Sequence, residues 1–386
     1  MRVGIFTDND FGKVNGVTTA LRAVIEHAPP GIRARVYTCA PKEANVPPYR
    51  AYRAIGVPIP FYREMTMYVP PLHRLLRDVR DDGISVIHLT TPGPMGLAAM
   101  WVARRLGLPL VGSFHTDLVA YVRMLSGSAA LASLMRQYMR WPYGRCAQVC
   151  VPSETSRALL ADLHVPSDRV RVWRRGVSTT RFSPARRSDE VRERWQVSES
   201  RPALLYVGRV SKEKGLAELP PIARRLIDLR VAHRFVIVGD GPMRRELQRA
   251  LPDAVFAGTV SPEDVAVAMA SSDLFVFPSR TDTAGNVVLE AQASGLPAIV
   301  MRDGGPSENV DDGHSGIVCS GAAALQNAVV CLLNNLDHRR AFSARARAYA
   351  ETRQWRTALA PLYRTYEELH HDRSPAADRA AVVDYP

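Results

Sequence analysis

Asp282 and Glu290 flank a glycine in the run Ser279-Arg280-Thr281-Asp282-Thr283-Ala284-Gly285-Asn286-Val287-Val288-Leu289-Glu290. Gly285-Asn286 marks a helix start after a strand, so Asp282 falls in the entry loop and Glu290 about a turn and a half inside the helix. Amides at Gly285, Asn286 and Val287 can meet a sugar or phosphate oxygen, and the two carboxylates can accept hydrogen bonds from hydroxyls. Sugar and ribose hydroxyls are what such acceptors would read. An acid at a helix start followed by a solvated helical Glu would look the same in sequence.

Cations come earlier, in Val207-Gly208-Arg209 followed by Ser211-Lys212-Glu213-Lys214-Gly215. The chain has only four lysines among its 50 basic residues, and two of them fall in this loop. Arg209 as a planar fork and Lys214 as a point charge suit a diphosphate, although a solvated turn balanced by Glu213 fits the spacing too. In Ser113-Phe114-His115-Thr116-Asp117 a histidine follows a strand end, where it can orient or polarise a reacting group, or serve structure alone. The loop Asp8 to Gly16 ends in Asn15-Gly16-Val17 at a helix start, where glycine lets a phosphate approach backbone amides. Asp8-Asn9-Asp10 has the form of a metal-binding acid pair, but two loop acids are usually solvated, and no metal is expected.

These loops need strands to hold them. Short β-branched runs, each followed by a turn and a longer helical pattern, recur through both halves and predict repeated βαβ units with parallel sheets. The first half offers Val3 to Thr7, Ala34 to Cys39, Ser85 to Leu89, Leu110 to Phe114, Val149 to Pro152 and Val170 to Trp173. The second offers Ala203 to Val207, Arg234 to Val238, Val255 to Ala257, Leu274 to Pro278, Ala298 to Met301 and Gly316 to Cys319. Two α/β domains follow, 1–178 and 202–354, with 179–201 as a linker, a helix near 355–371 that packs back on the first domain, and a weakly ordered tail at 373–386.

At 386 residues and 46% hydrophobic the chain is long and apolar enough for two cores, which excludes a disordered or disulfide-scaffold protein. Cysteines at 39, 146, 150, 319 and 331 are odd in number and form no CxxC pair, so a reducing cytoplasm is the expected setting. The start carries no signal-peptide pattern, and no run approaches the roughly 20 apolar residues of a membrane span. Residues 1–185 hold 24 Lys+Arg against 12 Asp+Glu, leaving 26 of each from the totals of 50 and 38, so the whole net charge of +12 sits in the first half. That asymmetry points to an anionic partner, either a membrane surface or nucleic acid, against the alternative of an arginine-rich solvated face. Nucleic acid is not expected, since zinc-finger spacing and RNP-like aromatic motifs are missing. Pro47 to Pro71 interleaves prolines with Tyr49, Arg50, Tyr52, Arg53, Phe61, Tyr62, Arg63, Met65, Met67 and Tyr68, a mixture that suits lipid headgroups or an ordinary capping loop.

Taken in order, the Asn15-Gly16-Val17 loop, Phe114-His115-Thr116-Asp117, Val207-Gly208-Arg209 with Lys214-Gly215, Val238-Gly239-Asp240-Gly241-Pro242 and the acid-x7-Glu motif from Asp282 to Glu290 resemble the retaining glycosyltransferases of family 4. The bacterial branch of lipid mannosyltransferases and sulfoquinovosyldiacylglycerol synthases, which also carries Thr-Asp-Thr before the glycine, is the most similar. The resemblance implies a GT-B fold, two Rossmann-like domains with parallel sheets facing across a cleft, the first binding acceptor and the second a nucleotide-sugar. It implies that Arg209 and Lys214 hold the donor diphosphate, that Glu290 holds the ribose, and that Asp282 with the amides of Gly285, Asn286 and Val287 holds the sugar. Gly16 would admit the phosphates and His115 would touch the sugar near the reacting carbon. No protein nucleophile, metal or cofactor is then expected, the nucleotide-sugar being a co-substrate. The expected product forms on a lipid-linked acceptor at the inner membrane face. A soluble acceptor, such as a secondary-metabolite core or sugar phosphate, and a non-catalytic binding module are the alternatives. Many members have Glu where Asp282 stands and Phe where Ala284 stands, which leaves sugar identity open and enlarges the space beside the donor loop.

Overall fold

The computed structural model describes residues 1–11, 15–59 and 62–372. The tail at 373–386, and Gly12 to Val14, Pro60 and Phe61 within the two loops discussed above, lie outside the described residues. The chain divides into two compact units, one formed by Met1–Arg174 with the chain from Leu359 onward, the other by Arg175–Ala358.

The first unit carries β1 (Arg2–Phe6), β2 (Arg33–Ala40), β3 (Ala44–Val46), β4 (Tyr49–Arg53), β5 (Gly56–Ile59), β6 (Tyr62–Tyr68), β7 (Val86–Leu89), β8 (Leu110–Ser113), β9 (Gln148–Val151) and β10 (Val170–Val172). Its main sheet, among the described residues, runs β10-β9-β8-β7-β1-β2-β4-β3, parallel except for β3 against β4. Every residue of β7 and β8 is buried, as expected for a parallel sheet covered by helices on both faces.

Part of Pro47 to Pro71 is therefore sheet, and two residues of its aromatic and arginine mixture turn toward the fold rather than outward. Tyr52 is buried with its hydroxyl donating to Asp78, and Arg50 pairs with the same carboxylate at 2.8 Å. Period-two alternation in Tyr49–Arg53 turns these side chains toward the helix Leu72–Asp81, where Asp78 accepts from both.

His88 on β7 is fully buried between the Ser113 hydroxyl, 2.6 Å from Nε2, and the Tyr366 hydroxyl, 2.7 Å from Nδ1. Burial pushes its pKa down to about 3, so the ring stays neutral, with one nitrogen donating and the other accepting. Tyr363 likewise donates to the Val24 carbonyl at 2.9 Å, so two tyrosines seat the last helix, Trp355–His371. Tyr366→Phe strands one buried imidazole nitrogen and is expected to lower stability by about 1–3 kcal/mol, measured by urea unfolding.

The second unit is one parallel sheet of β11 (Ala203–Val207), β12 (Arg234–Val238), β13 (Val255–Gly258), β14 (Leu274–Phe277), β15 (Ala298–Met301) and β16 (Gly316–Cys319). The order β13-β12-β11-β14-β15-β16 reverses direction between β11 and β14, the switch point at which open α/β sheets bind ligands. The stretch 179–201, expected as a linker, is built into this unit. Its charge run forms the helix Asp189–Arg194, and buried Arg192 donates to the Ser271 carbonyl at 2.8 Å and to Asp273 at 3.0 Å.

Candidate active site

The loops after β11 and β14, adjacent at the switch point, carry the predicted cations and acid. Leaving β11, the chain passes Gly208 and Arg209, makes a turn of 3-10 helix at Lys212–Lys214 and reverses at Gly215. Gly215 has φ +69°, and a Cβ there would stand 2.3 Å from the Pro278 carbonyl oxygen, so only glycine lets this turn lie against the chain leaving β14. Glu213 fastens the two loops, its carbonyl accepting from the Ser279 hydroxyl at 3.3 Å and the Thr281 hydroxyl at 3.0 Å. Lys214 Nζ then reaches Asp282 Oδ1 at 2.5 Å. Two residues expected to hold different parts of a ligand thus begin as an ion pair.

Arg209 rests against a second loop. Gly208 donates to the Val238 carbonyl at 3.0 Å and Val210 to the Asp240 carbonyl at 2.9 Å. A Cβ on Gly239, whose φ is +127°, would stand 1.9 Å from the Gly208 oxygen, so Val238-Gly239-Asp240 is a floor under the arginine loop. Burial works against the Arg209 charge and lowers its pKa, while the Glu213 carboxylate favours it.

Beyond Asp282 the chain turns into the helix Asn286–Ala293, with Gly285 as its N-cap in the left-handed region and no side chain capping the end. Its N-terminus therefore lacks the side-chain cap that starts such as those of Leu118–Ser126 and Pro262–Ala270 carry, which favours a ligand oxygen there. Asn309 holds the turn, donating through Nδ2 to the carbonyls of Ala284 at 2.5 Å and Gly285 at 3.3 Å, while its Oδ1 accepts from Arg353 at 3.2 Å. Sequence reasoning missed Asn309, because nothing around it marks a contact 25 residues away. Asn309→Ala takes the partner from the buried turn at the Ala284 carbonyl, while the Gly285 carbonyl keeps the Val288 amide at 3.0 Å, and is expected to cost about 1–2 kcal/mol of stability on denaturant unfolding and to raise the donor KM.

Glu290 lies a turn and a half into that helix, half-buried. Burial pushes its carboxyl up to about 7, with the Arg181 charge acting in the opposite sense.

In the first unit the helix Gly16–Glu26 begins at exposed Gly16, but Asn15 Oδ1 already accepts from the amides of Val17 at 2.9 Å and Thr18 at 3.0 Å. Two of the amides expected to greet a phosphate thus have an internal acceptor. Asp8 is no metal ligand in form either. Its carboxylate accepts from the Met95 amide at 2.9 Å and the Thr91 hydroxyl at 2.6 Å, capping the helix Pro94–Leu106, and burial raises its pKa. His115, just past β8, is buried with its ring edge-on to Trp173 at 6.0 Å. Asp117 turns away from it and caps the helix Leu118–Ser126 through the Ala120 amide at 3.0 Å. Among the described residues no cluster of three or more His, Cys, Asp or Glu could hold a metal ion.

Two units of parallel sheet and helix, with cations and a carboxylate at the switch point of the second, define the GT-B class of nucleotide-sugar-dependent glycosyltransferases. The sequence matches the glycosyltransferase family 4 pattern over residues 14–181 and that of glycosyl transferases group 1 over 201–335. It is 32% identical to a GDP-mannose-dependent alpha-mannosyltransferase of Mycolicibacterium smegmatis, covering 97% of this chain and 99% of that protein. It is 33% identical to one of the same name from Corynebacterium glutamicum, over 82% of this chain and 76% of that one. An alpha-monoglucosyldiacylglycerol synthase of Streptococcus pneumoniae is 26% identical over 86% of this chain and 78% of its own length. In fold, the chain is similar to sucrose-phosphate synthase from Thermosynechococcus elongatus, with a TM-score of 0.75 at 19% identity over 96% of this chain and 99% of that one. The chain belongs to glycosyltransferase family 4, and it is an enzyme that uses a nucleotide-sugar.

Proposed function

We propose that this enzyme moves a hexose from a nucleoside-diphosphate donor to a lipid-linked acceptor with retention of configuration, in the cytoplasm at the inner face of the membrane. The observation that carries the reading is the meeting of Lys214 with Asp282 beside Arg209 at the β11/β14 switch point. Bound there, a donor diphosphate takes the cations as counter-charges, and Asp282 is released to accept from a sugar hydroxyl. The amides of Gly285, Asn286 and Val287 supply further donors, Glu290 accepts from the ribose, and His115 is assigned to the sugar beside the reacting carbon. Negative charge that grows on the leaving diphosphate is met by Arg209 and Lys214, and the leaving phosphate takes the acceptor's proton, so no protein nucleophile is required. Because these two side chains neutralise the diphosphate, chelation by EDTA is expected to leave turnover unchanged.

GDP-mannose is the first donor to try, by analogy with the mannosyltransferase relatives, and the diacylglycerol-based relative favours a lipid acceptor. A lipid surface is also favoured by the hairpin β5–β6. Val57 pairs across from Met67, and Val69 donates to the Ile55 carbonyl, so Ile55, Val57, Met67 and Val69 share one face and are 83%, 53%, 38% and 68% exposed. No helix among the described residues is long and apolar enough to cross a membrane. The test is thermal stability against UDP-, GDP-, ADP- and dTDP-sugars, followed by transfer of labelled sugar into a lipid extract and flotation with anionic liposomes. A midpoint rise in the GDP series, label in the organic phase and flotation lost at high salt are expected. Absence of any nucleotide shift overturns the donor assignment, and label that stays in the aqueous phase overturns the lipid acceptor.

A further inference from the structure

A second cluster of cations in the donor unit lies outside the machinery just described. Arg187, Arg192, Arg339 and Arg340 line a cavity of about 450 Å³ whose acids are Asp273 and Glu199. Four guanidiniums against two carboxylates leave an excess of two positive charges. Asp273 is already shared, accepting from Arg192 at 3.0 Å and the Ala203 amide at 2.8 Å and lying 3.6 Å from Arg187. Arg339 is only 6% exposed, yet its bonds run from Nη1 to the carbonyls of Leu332 and Leu333 at 2.9 and 3.0 Å. Among the described residues its Nε and Nη2 have no bonded partner. An almost buried guanidinium beside like charges, in the wall of a polar cavity, favours an anion as its counter-charge. The charge run around Arg186 to Arg194 supplies two of the four cations, so the segment that sequence reads as a linker is one wall of this cavity.

We propose that this cavity is a second anion site of the donor unit, taking a small phosphorylated ligand of the diphosphate or sugar-phosphate class. Guanidinium forks match phosphate oxygens two at a time, and the volume holds a molecule of that size. The cavity also reaches Ser294, whose amide and hydroxyl bond the Glu290 carbonyl at 3.1 and 3.0 Å. An occupant would therefore sit at the far end of the helix that starts at the donor loop.

Pyrophosphate is the probe, read by the unfolding midpoint and by calorimetric titration of the full chain. Its obvious competitor is the Arg209 and Lys214 loop, so two variants separate the sites. Arg187 and Arg340, with side chains 43% and 64% exposed, can be replaced without opening the core, and Arg187→Gln/Arg340→Gln is expected to weaken pyrophosphate binding about tenfold. Arg209→Gln is expected to leave a pyrophosphate response in place. A response abolished by Arg209→Gln and untouched by the double variant, or no response in the parent protein, overturns the proposal. Failure of the donor assignment registers separately, as loss of the nucleotide-sugar shift.

Discussion

Lys214→Ala is expected to lower kcat about a hundred- to a thousandfold, the usual loss when one preorganised group facing a developing oxyanion is removed. The residue stands on a turn with no core role, and its side chain is 18% exposed, so the fold should survive its truncation. One complication is Asp282, which loses its cation at 2.5 Å when the ammonium goes. Breaking a largely buried ion pair costs stability, which denaturant unfolding reads separately from turnover of the folded variant. The Lys214→Ala/Asp282→Asn double variant separates the two roles. It removes the unbalanced carboxylate and is expected to recover stability while turnover stays low. If turnover of Lys214→Ala under saturating donor fell less than threefold, the ammonium would be a partner for Asp282 and nothing more.

That pairing also marks the limit of what the sequence could say. The strand runs were readable because a buried parallel strand must be apolar on both faces, and Ala203–Val207 or Ala298–Met301 has little freedom to be anything else. The loops after β11 and β12 were readable through their glycines, which close approach of two backbones demands. What could not be read is which polar groups meet across long separations. Lys214 and Asp282 are 68 residues apart, and Asp8 finds the Met95 amide across 87. From its loop Asp8 looked like half of a solvated or metal-binding pair, whereas the helix start it caps is visible only once β1 and β7 are neighbours. Asn15 misleads for a different reason. An asparagine before a helix is as good a cap for its own amides as a neighbour of someone else's phosphate, and local geometry gave it the first task. The segment 47–71 hid a strand because its prolines argue against one, yet Tyr49–Arg53 contains none and pairs with β2.

Glu290→Gln is expected to move stability and donor binding in opposite directions. In the folded protein burial holds this carboxyl at about 7, against 4.5 for an exposed one. Between those values the folded chain keeps a proton that the unfolded chain gives up, so stability is highest at low pH and is lost as pH rises through 7. At pH 8 the charged, half-buried carboxylate costs up to about 3 kcal/mol, an upper bound because some solvent reaches it. Glutamine removes that cost, so the variant is expected to unfold at higher denaturant than the parent at pH 8, with the difference closing toward pH 4.5. Binding has the opposite sign. A carboxylate accepts two hydroxyl protons, whereas an amide offers one acceptor, so nucleotide affinity should fall by about 1.5–3 kcal/mol, roughly ten- to a hundredfold. The parent must also lose its Glu290 proton to bind, so its affinity is expected to weaken as pH drops below 7, whereas the variant shows no such dependence. Titration of the nucleotide from pH 5.5 to 8.5, alongside denaturant unfolding over the same range, reads both effects. A gain in stability with unchanged nucleotide affinity would leave Glu290 a buried acid with no ligand, and the ribose would need another acceptor.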